Sequence, residues 1–474
     1  MSSRQIFQLH PLGWENDPEE ERFKLSTIDP TPNCAYNHYA LFFRLEDSAR
    51  SLAVDILKAG LERTLSQARY MCGTIEKDVE GGYSFVKRKE STVQFVVHEI
   101  DAHANHPSLD DIERSYFAGH SLQDINLWSI PGLTWGEERP EADPDNSPAV
   151  AAYQLNLLKG GLLFSMHNHH YSCDLMGWSN FTRQLAENCY AIANSSSFPV
   201  WDPANVDVSR FIRNIPEDSL VEGPAVAPKH PDHKEQQAVL FHLPKSKAKE
   251  LKKLAMPTNS EDPWISTYDA MCAYVWRMLS KIRAPVYNPD PSSHLWWGEA
   301  VNMRPRLQNP PVPDRLMRNA VAGAFSDTAP MPPLTAGEVI SGAPLSKLAG
   351  YIRALTESCT EQHVERLIDF IAPIRDKRTI SLRVDSHPPM SMFVTDHRSA
   401  DVSSFDFGFG KPITYRHLWG DLLTAGVVLI YAPIQSSSSL DEGVMFAITM
   451  EKDLVPKLME ASEWTDYFEF RGVD

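Results

Sequence analysis

The sequence predicts two α/β domains of similar size, each built from mixed sheets and helices. The chain has 474 residues, more than one hydrophobic core usually organises, so two domains of roughly 200 residues each are expected. Stretches with helical spacing of apolar residues and short β-prone runs occur in both halves. A polar, proline-rich stretch at 221–237 separates them and is typical of an exposed linker. The predicted domains are therefore residues 1–220 and 238–474.

The first half contains a predicted helix, a hairpin and a second helix. Apolar residues recur at three- and four-residue steps from 51 to 71, which indicates an amphipathic helix. Two β-prone runs, 149–158 and 162–168, are joined by Lys159-Gly160-Gly161, a tight-turn signal. Helical spacing resumes after Asp174, so the residues just before it form a strand-to-helix turn.

The second half has the same mixture of elements, and Asp453 is expected to cap its last helix. The other predicted elements are a strand at 238–243, helices at 245–254, 267–282 and 345–355, and buried strands at 427–431 and 444–450.

Composition restricts the possible partners and the compartment. The formal net charge of -17 argues against nucleic acid and anionic membranes as partners. The six cysteines are dispersed without a CxxC pair, the pattern of reduced cytoplasmic thiols rather than a zinc site. The polar start of the chain has no apolar signal segment, so a soluble cytoplasmic protein is expected.

Two motifs far apart in the chain carry the chemistry. His169-His170-Tyr171-Ser172-Cys173-Asp174 is an HHxxxD motif, and residues 406–412 form a DFGxGKP motif. Histidine has an ordinary pKa of about 6.5. It can therefore take a proton from an attacking nucleophile and return it to a leaving group at neutral pH.

With these motifs in this order, the chain resembles the BAHD acyl-CoA-dependent acyltransferase family. The resemblance extends to residues 25–29, which are similar to the family's LSPxD segment, and to 302–306, which are similar to NxRxR. The Gly160-Gly161 hairpin and residues 463–467 are most similar to the fungal branch that includes trichothecene 3-O-acetyltransferases.

The resemblance implies two chloramphenicol-acetyltransferase-like domains with an active-site tunnel between them, acyl-CoA entering one mouth and a small-molecule acceptor the other. His170 would be the general base. Asp174 would be structural and paired with Arg304, while Asp406 and Gly408 would support the channel. Transfer of an acyl group, acetyl first, to a hydroxyl of a secondary metabolite is the expected reaction, by a monomer without a tightly bound cofactor.

The acceptor side departs from the plant pattern of the family. Phe409 replaces the usual tryptophan of the DFGWG motif, and Thr395-Asp396-His397 replaces a hydroxyl pair followed by tryptophan. We expect His397 and Phe409 to line the acceptor pocket, and Thr395 to contact the pantetheine arm or the oxyanion. A surface position for His397 is the alternative.

The CoA phosphates require basic groups in this acidic protein. The run from Lys245 to Lys253 lies where the family contacts them, so Lys252 and Lys253 are candidates, with Ser266 and Thr267 as hydroxyl donors. An ordinary solvated face is the alternative.

Several other functions remain open from the sequence. Asp174 could merely cap the following helix. His167, His169, His170 and Asp174 could hold a metal, although neighbouring residues on one strand point to opposite faces. N-acyl transfer, a condensation-type enzyme and a non-catalytic metabolite-binding protein are the alternative functions.

Overall fold

The computed structural model describes residues 3–79, 82–100, 105–134, 140–257, 264–419, 423–435 and 439–474. These residues form two large sheets, a small third sheet and covering helices. The strands are β1 Ser3–Leu9, β2 Glu20–Lys24, β3 Tyr36–Arg44, β4 Thr74–Lys77, β5 Tyr83–Arg88, β6 Val93–Glu99, β7 Ala151–Leu158, β8 Gly161–His169, β9 Gln236–Leu243, β10 Trp297–Asn302, β11 Val321–Phe325, β12 Met392–Asp396, β13 Pro412–His417, β14 Val427–Tyr431, β15 Val444–Glu451 and β16 Glu469–Val473. The helices are α1 Arg50–Gln67, α2 Leu109–Arg114, α3 Leu175–Ala193, α4 Lys245–Ala255, α5 Thr267–Tyr287, α6 Leu345–Ser358, α7 Glu361–Ile371, α8 Val455–Glu460 and α9 Ser462–Thr465.

The first sheet has six strands in the order β1-β6-β7-β8-β3-β13. Its centre is the β7–β8 hairpin, and β3 runs antiparallel to β8 with Tyr36 opposite His169. The edge strand β13 comes from the second half of the chain and pairs antiparallel with β3. One strand of the second half thus completes the sheet that carries the HHxxxD motif.

The second sheet has seven strands in the order β11-β10-β12-β14-β15-β9-β16. The β10–β12 and β12–β14 pairs are parallel. The other pairs of this sheet are antiparallel. Residues such as Val428 and Ile430 on one face pack with apolar residues of α4, α5 and α6 in a single core. The sheet is therefore mixed, and helices cover one of its faces.

The other face of the second sheet packs toward the first sheet. Tyr39 and Leu41 of β3 share a hydrophobic cluster with Leu429 and Tyr431 of β14. The rings of Tyr415 and Tyr431 lie 5.6 Å apart across this contact. We call these two facing surfaces the inner faces of the sheets.

Most predicted elements are confirmed, but the predicted cap at Asp453 is wrong. The predicted helices at 51–71, 245–254 and 267–282 correspond to α1, α4 and α5, although α1 ends at Gln67 and a 3-10 turn follows. The α8 helix has Leu454 at its cap position and a proline in its first turn, and Asp453 lies in the preceding 3-10 turn. Within the described ranges, no helix is both long and apolar enough to cross a bilayer.

Candidate active site

The turn between β8 and α3 carries the histidines and Asp174. β8 ends at His169, and the backbone N–H of His170 donates to the carbonyl oxygen of Ala35 at 2.9 Å. The Ser172 N–H then closes a turn onto the His169 carbonyl at 2.8 Å. Asp174 follows as the N-cap residue of α3. The turn therefore places His170 at the end of the first sheet.

His167 and His169 are held by the backbone through both ring nitrogens. Nε2 of His169 lies 2.8 Å from the Ala142 carbonyl oxygen, and its Nδ1 accepts the N–H of Tyr171 at 3.1 Å. Both nitrogens of His167 bond in the same way to backbone groups in 130–133. Burial lowers the pKa of both histidines to about 4. They are neutral and have no ring nitrogen left for a substrate.

His170 is in a different environment, although it is adjacent to His169. Its side chain is half-buried rather than fully enclosed. Burial lowers the pKa of His170 below its ordinary value, and the charge of nearby Asp174 opposes that shift in part. Burial lowers the pKa of His417 on β13 well below its ordinary value, and the charged forms of His397 and His170 lower it further. A neutral imidazole of this kind can accept a proton at physiological pH.

Asp174 has two structural roles, as the partner of Arg304 and as the N-cap of α3. Its carboxylate accepts hydrogen bonds from Nη1 and Nη2 of Arg304 at 3.0 and 2.9 Å, and both partners are buried. It also accepts the N–H of Gly177 at 2.7 Å, which caps α3, and the N–H of Ala320 at 2.8 Å. The two roles proposed for Asp174 from the sequence are therefore compatible. This carboxylate joins the histidine turn to the second half of the chain.

A second buried carboxylate, Asp29, was not singled out from the sequence. It accepts hydrogen bonds from Arg318 at 2.6 Å and from the side-chain amide of Asn319 at 3.0 Å. The same Asn319 amide lies 3.2 Å from the His170 carbonyl oxygen. Asp29 is the last residue of the 25–29 segment on which the family resemblance partly rests. That segment is the sequence feature that could have identified Asp29 as a site residue. Asp29 and Asn319 thus hold the backbone of His170 in place through the hydrogen bond to its carbonyl oxygen.

The DFGxGKP loop packs on α3. Asp406 accepts the backbone N–H of Gly408 at 2.8 Å, which tightens the loop. Gly408 has a φ of +80°, and a Cβ there would lie 2.4 Å from the Cβ of Ala193 at the end of α3. Glycine is required for both reasons. The loop thus contacts the helix that follows the HHxxxD turn.

Phe409 lies away from the histidines. Its ring packs 5.4 Å from Phe43 and 5.8 Å from Phe407. Phe43 is opposite Leu162 in the β3–β8 pair, whereas Tyr36 is opposite His169. Those seven residues of strand correspond to roughly 23 Å. The structure therefore places Phe409 far along β3 from His170.

Thr395 and His397 belong to the inner face of the second sheet. Phe393 of β12 packs in the inter-sheet cluster, and alternation along the strand places Thr395 on the same side. His397 is buried, and its ring is nearly parallel to that of Tyr415 of the first sheet at 6.2 Å. Burial lowers the pKa of His397 to about 4. The surface alternative for His397 is therefore wrong.

The residues expected to bind CoA lie at the N-terminal end of α5 and the end of α4. Nζ of Lys252 lies 5.0 Å from the ring centre of exposed Trp264, and Lys253 is exposed. Ser266 accepts the N–H of Asp269 in a capping box, and Thr267 is the first residue of α5. The structure thus brings the lysines near the start of α5, at the surface.

The metal alternative has no geometric basis in the part of the chain that the structure describes. No group of three or more His, Cys, Asp or Glu side chains there is arranged to hold a metal ion. His167 and His169 are bonded to the backbone, and Asp174 is paired with Arg304.

The chain is similar to several known proteins. The model of the family described as "Transferase family" matches residues 15–464. The chain is 52% identical to acetyltransferase FGR3 of Gibberella zeae over 478 residues, covering 100% of this chain and 95% of that protein. It is 23% identical to trichothecene 3-O-acetyltransferase TRI101 of Fusarium sporotrichioides, covering 92% and 94% of the two chains.

The fold is also similar to that of TRI101. The crystal structure of F. graminearum TRI101 with coenzyme A and T-2 mycotoxin superposes with a TM-score of 0.77 at 20% identity, covering 95% of this chain and 100% of that chain. The shared architecture is the two-domain BAHD fold with mixed sheets. On its family match and its fungal relatives, the chain belongs to the Transferase family of BAHD acyltransferases and is itself an acyltransferase of the trichothecene acetyltransferase-like branch.

Proposed function

We propose that the protein transfers an acyl group, most simply acetyl, from acyl-CoA to a hydroxyl of a small secondary metabolite, with His170 as the general base. The observation that carries this proposal is the contrast within the HHxxxD segment. His167 and His169 are bonded to the backbone through both ring nitrogens, whereas His170 is half-buried in the turn that follows β8.

The reaction follows from a neutral imidazole at this position. His170 takes the proton of the acceptor hydroxyl as its oxygen attacks the thioester carbonyl. The tetrahedral intermediate then collapses, the carbon–sulfur bond breaks, and imidazolium returns the proton to the thiolate. No acyl-enzyme is needed. Thr395, on the facing sheet, is the candidate donor to the oxyanion, a contribution worth about 3–4 kcal/mol for a well-placed group.

The remaining site residues have supporting roles in this proposal. Asp174 with Arg304, and Asp406 with Gly408, hold the turn and α3 in place. Lys252 and Lys253 attract the CoA phosphates, with Ser266 and Thr267 as nearby hydroxyls. His397 forms part of the acceptor chamber. The TRI101 structures that contain coenzyme A together with T-2 mycotoxin or deoxynivalenol support a reaction between CoA and a small-molecule acceptor.

We further propose that the two domains divide at the 221–237 linker, with β13 exchanged into the first, and that a tunnel between the inner faces joins the two substrates. The protein acts as a cytoplasmic monomer, without nucleic acid, membrane or a tightly bound cofactor. The net charge of -17 supports the exclusion of polyanionic surfaces.

The test is a donor and acceptor screen on the purified protein. Acetyl-CoA and longer acyl-CoA donors are incubated with hydroxylated fungal metabolites, including deoxynivalenol, and with matched amines. Free CoA thiol is measured, and products are identified by mass spectrometry. We expect thiol release that depends on an alcohol and yields an ester. Amide products would instead establish N-acylation, and metabolite binding without thiol release would establish a binding protein.

A further inference from the structure

Two asparagines and a histidine form a polar row on the inner face of the first sheet. Asn168 of β8 lies directly opposite Asn37 of β3. His417, at the end of β13, has its Nε2 at 3.4 Å from the Asn37 Oδ1. The three residues are 1%, 3% and 4% exposed. They interrupt a surface that is otherwise formed by Tyr39, Met166 and other members of the inter-sheet cluster.

The two carboxamides are incompletely satisfied by the described protein. Neither Nδ2 nor Oδ1 of Asn168 has a hydrogen-bond partner there, and the Nδ2 of Asn37 has none. The Tyr153 hydroxyl approaches Asn168 without reaching hydrogen-bond geometry. Asn156 of β7 is also fully buried, but its Nδ2 donates to the Trp128 carbonyl at 3.2 Å. Buried amides normally have such partners.

The row lies next to the proposed base. Asn168 is the penultimate residue of β8 and His170 is the first residue after the strand, so one residue separates them in the chain. Burial lowers the pKa of His417, and the charged forms of His397 and His170 lower it further. From Asn168 the row runs away from His170 across β3 toward β13, a distance of about two strand spacings, or roughly 10 Å.

The row is electrically neutral. The carboxamides have no charge, and burial together with the two neighbouring histidines holds the pKa of His417 well below its ordinary value. A carboxylate or ammonium group would have no opposite charge here, and its burial would be unfavourable. Each carboxamide offers a donor and an acceptor, which suits a hydroxyl or carbonyl group. The oxyanion of the tetrahedral intermediate would accept hydrogen bonds only, so it would use the amide donors and not the amide oxygens. It would also need only the asparagine nearest to His170.

We infer that Asn37 and Asn168 bind a neutral oxygen substituent of the acceptor, a hydroxyl or carbonyl a few bonds from the hydroxyl that is acylated. This inference rests on the proposed function and specifies its substrate class as alcohols with a second neutral oxygen. His417 orients Asn37 from the neighbouring strand. The pair thus determines specificity, while His170 performs the proton transfer.

The test compares cyclohexanol with trans-1,4-cyclohexanediol as acceptors for acetyl-CoA, with free CoA thiol as the readout. The variants are Asn37→Leu and Asn168→Leu, which keep the approximate side-chain shape. Asn156→Leu is the matched control. We expect the wild-type protein to prefer the diol beyond the statistical factor of two. In Asn37→Leu and Asn168→Leu the ratio of the two kcat/KM values should fall about tenfold or more, because a lost hydrogen bond discriminates between such substrates. Asn156→Leu should keep the wild-type ratio.

Thermal melting gives a second, independent readout. Replacing Asn168, neither of whose amide atoms has a partner, by leucine should leave Tm unchanged or raise it, whereas Asn156→Leu removes satisfied hydrogen bonds and should lower Tm. An unchanged diol ratio in Asn168→Leu, or a fall in its Tm as large as that of Asn156→Leu, would overturn the inference and make the amides structural. A wild-type protein that releases no thiol with either alcohol or with any metabolite of the screen would instead refute the proposed function, and the inference with it.

Discussion

Asp174→Asn tests whether the HHxxxD aspartate is structural. Each oxygen of Asp174 accepts one backbone N–H and one N–H of Arg304. In the asparagine variant, the amide nitrogen would replace one of these oxygens and would face a backbone N–H and an Arg304 N–H, both of which are donors. Arg304 would also lose its counter-charge. Breaking a buried ion pair typically costs about 3–5 kcal/mol. If one half of the chain unfolds as a unit, that loss lowers Tm by roughly 6–20 °C.

The assay is thermal unfolding followed by circular dichroism, together with acyl transfer measured well below both melting temperatures. Asp406→Asn is the matched control, because Asp406 is half-buried and accepts the N–H of Gly408 within its own loop. Its Tm should change much less. An Asp174→Asn protein that melts like the wild type but has no activity would refute the structural reading and make the carboxylate catalytic.

Three further predictions concern the loop, the cofactor and pH. Gly408→Ala should lose about 1–3 kcal/mol in urea unfolding because its φ is +80° and its Cβ would meet Ala193. Gly350→Ala, in open space on α6, should not lower the free energy of unfolding. Equal losses in the two variants would contradict the close approach of Gly408 to Ala193. Replacing Lys252 and Lys253 by alanine should raise the KM for acyl-CoA, and added salt should imitate this; an unchanged KM at low salt would place the phosphates elsewhere. His167 and His169 have pKa values of about 4 in the folded protein, below the ordinary 6.5, so the unfolded state takes up protons first as pH falls. Their stabilisation should be complete above about pH 6.5 and decline toward pH 4; equal unfolding free energies at pH 7.5 and 5 would contradict this.

Local patterns predicted the parts of the fold that depend on local interactions. The β7–β8 hairpin follows from two β-prone runs around Gly160, and α5 follows from apolar spacing after Ser266. The position of His170 at the end of a strand follows from the same reasoning. The Asp174–Arg304 contact was predicted by family resemblance and is present in the structure.

The other long-range contacts could not be predicted from the sequence, because they have no local pattern. Asp29 and Arg318 are 289 residues apart in the chain, and neither has a neighbour in sequence that indicates the other. The exchange of β13 into the first sheet likewise depends on tertiary pairing with β3. Phe409 was placed in the acceptor pocket by its position in a motif, but the strand register puts its ring at the other end of β3.

The most direct test of the central claim is the turnover of His170→Ala with acetyl-CoA and the best acceptor of the screen. Loss of a general base should lower kcat by about 10²–10⁴-fold, with an unchanged circular dichroism spectrum. His169→Ala should mainly lose stability, because His169 bonds to the backbone through both ring nitrogens. A fall in kcat of less than about tenfold in folded His170→Ala would contradict the assignment of His170 as the base.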